Sequence, residues 1–159
     1  MRKALLIIFT LLAFAFLSIA GPKKMPMPLD AIISGDRDFS VSGKTAKLTL
    51  KKESCDLKSV GDNGLDGATP KSFQILFLCE GIKQILWDIN KPAPDDFSFD
   101  DPKFALLWAG DNDGDGKIDL KMNMSPKYSC SKEVLYLSTK AQSDELVGIL
   151  GTPKTVCGE

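Results

Sequence analysis

The chain has 159 residues, with 20 Lys+Arg, 21 Asp+Glu and no histidine, and a formal charge of −1. A mildly acidic chain lacks the basic stripe that phosphate binding needs, so nucleic acid is excluded as the expected partner. Without histidine the chain can build no Ser-His-Asp triad, no Cys-His nucleophile pair and no His-ligated zinc or haem site.

The N-terminus, MRKALLIIFTLLAFAFLSIA, has Arg2 and Lys3 before an apolar run over Ala4–Leu17, then Ser18-Ile19-Ala20 with small residues at −3 and −1. This predicts a signal peptide over residues 1–20. The run is shorter than the ~20 residues of a membrane-spanning helix, and no later stretch replaces it. Loss of Arg2 and Lys3 from a formal −1 leaves 139 residues at −3. The expected location is secreted or periplasmic.

All four cysteines, Cys55, Cys79, Cys130 and Cys157, follow that leader. An even count in an oxidising compartment predicts two disulfides with three possible connectivities. Sequence proximity favours Cys55–Cys79 and Cys130–Cys157, each stabilising by about 2–4 kcal/mol. No CxxC pair is present to suggest a Cys₄ zinc site.

Residues 21–45, opening on GPKKMPMP, read as an extended, proline-containing lead-in, and residues 46–159 as one disulfide-braced domain. Ala46–Leu50 alternates at period two and predicts a half-buried strand running on to Cys55. Ser59–Pro70 is rich in glycine and reads as a loop. Ser72–Leu78 and Gly81–Ile89 read as a hairpin, and Lys91–Pro102 as a loop with three prolines and Asp95, Asp96, Asp100 and Asp101. Strands are predicted at Phe104–Trp108, at Ile118–Met124 with clean alternation, at Val134–Leu137 and at Glu145–Leu150. About seven or eight short strands, with no long 3.6-residue period, predict a mostly β fold: a small antiparallel sandwich or open barrel.

Asp111–Asp119 reads DNDGDGKID. Asp111, Asp113, Asp115 and Asp119 stand at positions 1, 3, 5 and 9, with Gly116 at position 6 for the sharp turn. A calcium ion takes six to eight oxygens, which alternate residues of a curled loop can supply. The predicted ligands are the four aspartates and the backbone carbonyl of Lys117, forming a strand–loop–strand calcium hairpin. Position 12 is Met122, where an EF-hand has a bidentate Glu, and the exit alternates as a strand.

The stretch WAGDNDGDGKIDL, Trp108–Leu120, resembles the calcium loops of FG-GAP and VCBS repeats, the integrin-type units, whose usual form is GDxNGDGxxDL. The resemblance covers about 20 residues. Those families build propellers from several repeats, and one copy in a chain of this length excludes a seven-bladed propeller. The stretch from Trp108 through YLSTKA to the terminal cysteine also looks like small exported bacterial proteins that carry one such loop. The resemblance implies a compartment and an ion, Ca²⁺, but no activity.

Asp62–Gly67, DNGLDG, echoes positions 1, 5 and 6 of the motif and reads as an ordinary turn or a second ion site. Asp95, Asp96, Asp100 and Asp101 form a solvated loop or lend one more ligand. Trp87 and Trp108 read as core, and Phe97 and Phe99 as side chains covering the sheet.

The expected function is an exported calcium-binding β domain with a structural or binding role, not an enzyme. The alternatives are a hydrolase built on carboxylates such as Glu53, Glu80, Glu133 and Glu145, or an inhibitor or protective partner of another exported protein. Another exported protein and a surface glycan are the candidate partners beside calcium.

Overall fold

A computed structural model describes residues 27–62, 70–92 and 99–158. The expected leader over residues 1–20 lies outside them. Twelve strands follow in chain order: β1 Leu29–Asp30, β2 Ile32–Gly35, β3 Thr45–Leu50, β4 Glu53–Gly61, β5 Phe73–Cys79, β6 Ile82–Asp88, β7 Lys103–Asp111, β8 Asp119–Ser125, β9 Cys130–Ser131, β10 Glu133–Leu137, β11 Gly148–Ile149 and β12 Val156–Cys157. A 3₁₀ turn, η1, covers Ser138–Lys140. Two five-stranded antiparallel sheets, β2-β3-β4-β5-β6 and β1-β7-β8-β10-β11, form the body, with β12-β9 as a small third sheet. This is the mostly β sandwich expected, and it is not closed into a barrel. No helix among the described residues is long and apolar enough to cross a membrane.

The two sheets share one core. Alternation in β3 buries Ala46, Leu48 and Leu50, and β8 answers with Leu120, Met122 and Met124. Phe104 of β7 bridges the sheets, with its ring 5.8 Å from Phe73 and 4.8 Å from Trp87. Each large apolar side chain so buried is worth about 1.5–3 kcal/mol. Phe99 packs on the same cluster, and Phe97 lies outside the described residues. Trp108 is half-buried, with its indole N–H donating to Asp30 at 2.6 Å.

Both expected disulfides are present, Cys55–Cys79 and Cys130–Cys157. The first joins residues directly opposite on β4 and β5, and the second joins β9 to β12.

Four of the expected boundaries are corrected in ways that bear on the fold. Residues 21–45 are not wholly a lead-in: β1 and β2 lie there, and Phe39 is fully buried. Residues 29–39 stitch the sheets together. Ala31 N–H bonds Ala109 O, β2 pairs with β3, and Phe39 N–H bonds Phe104 O. The segment gave no signal because β2 is largely exposed, with Ile32 at 73 %. The predicted strand from Ala46 to Cys55 is broken at Lys51-Lys52 by a two-residue turn, Lys51 having φ 53°. Such turns favour Gly, Asn or Asp, so a pair of lysines concealed it. The loop expected from Ser59 begins after Gly61, since Ser59 faces inward and its hydroxyl holds Val41 O. The strand expected over Glu145–Leu150 shrinks to Gly148–Ile149.

Candidate metal centre

The acidic loop is the connection between β7 and β8, closing on the pair Gly110↔Asp119. Asp111 ends β7 and is 5 % exposed. Its two carboxylate oxygens accept the N–H groups of Gly114 at 2.6 Å and Gly116 at 2.9 Å, which curl the loop back on itself. Gly114 and Gly116 both take positive φ, 85° and 87°, a region that favours glycine. Gly116 thus sits where the spacing predicts the sharp turn.

That curl gathers three carboxylates. Oxygens of Asp111, Asp113 and Asp115 lie within 4.8 Å of one another, with Asp111 buried, Asp113 half-buried and Asp115 exposed. Ionised carboxylates this close repel by roughly 1–4 kcal/mol per pair, between the dielectric of bulk water and that of a protein surface. Ion pairs among the described residues lie elsewhere, at Lys44–Asp36, Lys58–Asp56 and Lys121–Glu133. Asp113 Oδ1 is buried and has no hydrogen-bond partner. An unmet buried acceptor costs about 1–3 kcal/mol, more when charged. Three acidic oxygens with one idle lone-pair site suit a hard cation.

Asp119 lies outside this trio, and Lys117 borders it. Asp119 is fully buried, and its carboxylate accepts Asn112 N–H at 2.8 Å and Ser138 N–H at 2.7 Å. It staples the loop's entry to η1. Burial pushes its pKa above the usual carboxylate range, against those two hydrogen bonds, and the Asp113 charge adds to the rise. Lys117 is exposed and donates its N–H to Asp115 Oδ1 at 2.8 Å.

Three residues enter the site without a local signal. Ser138 donates its hydroxyl to Asp115 Oδ2, and Thr139 donates to Asp113 Oδ2. They stand 23 and 26 residues from those acids, so no spacing rule joins them; the YLSTKA stretch was the only pointer. Glu53 reaches across from β4 to accept Ile118 N–H at 2.7 Å. Burial raises its pKa, the Ile118 N–H opposes this, and Glu80 adds repulsion. Glu53 also lies within 4.8 Å of Cys55 and Cys79 sulfurs, but both are spent on a disulfide.

The other acids fall elsewhere. Asp62 accepts Lys71 N–H and Ser72 N–H, which is turn chemistry. Residues 63–69, the rest of the echo motif, lie outside the described residues, as do Asp95 and Asp96. Asp100 bridges to Lys127, at the end of the β7–β8 hairpin opposite the acidic loop, so neither it nor Asp101 reaches the site. Glu53, Glu80 and Glu145 border an open cleft of about 560 Å³ beside the loop, while Glu133 pairs with Lys121. No protein-family model, curated protein or solved structure matches the chain.

Proposed function

We propose that the protein is an exported β domain that binds one calcium ion in the 111–119 loop, with a structural or binding role. The observation that carries the reading is Asp113 Oδ1, buried and unpartnered among three converging carboxylates. Asp111, Asp113 and Asp115 would hold the ion, and the Lys117 carbonyl and Asp119 are the further ligands the spacing offers. Their resemblance to the FG-GAP and VCBS loops supports the choice of ion. The apolar leader and the two disulfides support export.

Calcium suits the set better than magnesium because the carboxylates are unevenly buried and need no octahedral order. The bidentate acid of an EF-hand is missing, so affinity belongs at about 10⁻⁵–10⁻³ M. Titration calorimetry of the mature chain tests this. One site for calcium, much weaker heat with magnesium and loss of both in Asp113→Asn are expected. Equal binding of the two metals, or none, would remove the assignment.

A carboxylate hydrolase is the second reading, favoured by Glu80 and Glu145 facing one cleft with Glu53. Two of these acids are already engaged, Glu53 by Ile118 N–H and Glu145 by Gln142 N–H. A hydrolytic activity lost in Glu80→Gln with fold and calcium affinity intact would promote it.

A further inference from the structure

We infer that residues 138–149 form a strap across the open side of the sandwich, and that its grip depends on the ion occupancy of the 111–119 loop. The inference rests on the calcium reading above and adds a consequence of binding.

The two long sides of the sandwich are closed differently. On one side, residues 29–39 run between the sheets and bond both through their backbone. On the other, the edges are β6 and β11. There the chain leaves β10, turns through η1, crosses towards β6 and returns as β11 to pair with β10. The crossing is held to β6 by Gln84. Its Oε1 accepts Leu146 N–H at 2.8 Å and Val147 N–H at 2.9 Å, and its Nε2 donates to Val147 O at 2.7 Å. One amide side chain thus does what strand pairing does on the opposite side. Val147 beneath it is fully in the core.

The near end of the strap is fastened to the metal loop through side-chain acceptors. Ser138 N–H reaches Asp119 Oδ1, Ser138 Oγ reaches Asp115, and Thr139 Oγ1 reaches Asp113. Two of these three acids belong to the converging trio. The return of the strap packs directly on its start: a Cβ on Gly148 would lie 2.0 Å from Lys140 O, so β11 and η1 are in contact.

An ionised carboxylate has about four acceptor sites, so a bound cation leaves room for the hydroxyls. With the cation present, Asp113 and Asp115 are fixed, and the hydroxyls meet stationary acceptors. Without it, the carboxylates repel, and the anchors of η1 move apart with them. Binding in the loop and closure of the strap are then linked, each favouring the other.

Hydrogen exchange on the full mature chain, with calcium or with EDTA, tests the strap. In the parent, calcium should slow exchange of the Leu146, Val147 and Leu150 amides about fivefold or more beyond any change in the β4–β5 amides, which report global stability. In Ser138→Ala/Thr139→Val, calorimetry should still detect calcium, and protection should stop at residues 111–119. If that variant fails to fold, Gln84→Ala serves instead: protection should reach residues 138–141 and be lost at 146–147. Calcium binding with no extra protection at 146–150 in the parent would overturn the strap and spare the calcium reading. So would equal protection there in the double variant. Absence of calcium binding in the parent would overturn both.

Discussion

The β5–β6 and β7–β8 hairpins each join neighbouring antiparallel strands, and they solve the reversal in opposite ways. The first turns at Glu80-Gly81, with φ of 49° and 82°. Two left-handed residues match the twist of the flanking strands, so the turn needs nothing outside itself. The second spends residues 112–118 on the same task and depends on others throughout. Asp111 caps it from within, Asp119 staples its entry to η1, and Glu53 holds its exit from the other sheet. Its three converging acids raise its energy where a simple turn would have none. A longer, costlier reversal beside a cheap one is consistent with the ion proposed for the loop.

The comparison is sharpened most by Asp119→Ala. Asn112 N–H and Ser138 N–H would lose their buried acceptor, at about 1–3 kcal/mol each. A stability loss of about 2–6 kcal/mol is expected by denaturant melt, in EDTA as well as in calcium. Asp113→Asn should behave otherwise. It relieves repulsion while Thr139 keeps an acceptor, so the melting temperature in EDTA should hold or rise, while the response to calcium vanishes. An Asp113→Asn protein destabilised equally in both buffers would make the acid a structural group and the two hairpins alike. Glu80→Asn places a residue that tolerates left-handed backbone into the simple turn, with an expected gain under about 1 kcal/mol. That gain should be the same with or without calcium.

The smallest effect lies at Asp36, which takes part in neither turn. Thr45 N–H holds its pKa below the ordinary 3.8, desolvation opposes this, and Lys44 adds to the lowering. A depressed folded-state pKa gives stability that is present above the unfolded value and is lost as pH falls through the folded one. Asp36→Asn should therefore melt slightly below the parent at pH 7. The difference should close as pH drops below 3.8.

The β5–β6 hairpin and the β8 strand were legible because β5 is a dense apolar run ending at Glu80-Gly81, and β8 alternates apolar and polar residues after a turn rich in glycine and aspartate. The Lys51-Lys52 turn was not, since neither lysine advertises left-handed backbone. β2 was hidden by exposure: a strand at the sheet edge, with Ile32 facing solvent, has no alternation to read. In the site, the acids were visible because their spacing lies within nine consecutive residues. Glu53, Ser138 and Thr139 were not, because β4 meets the loop only through the packing of the two sheets, and η1 only through the pairing of β10 with β8. Asp119 shows the limit of spacing in another way. Its position in the motif is right, but both oxygens are engaged by backbone N–H groups, which local sequence does not reveal.

The most direct test of the central claim is the melting temperature of the mature, oxidised chain in EDTA and in excess calcium. At a free calcium concentration of 100 times Kd, linkage adds about 2.7 kcal/mol. For a domain of this size the melt should move up by roughly 5–10 °C. Magnesium at the same concentration should move it far less. Coincident melts in EDTA and millimolar calcium, with no metal found by elemental analysis, would contradict the account and reduce the 111–119 loop to an acidic turn.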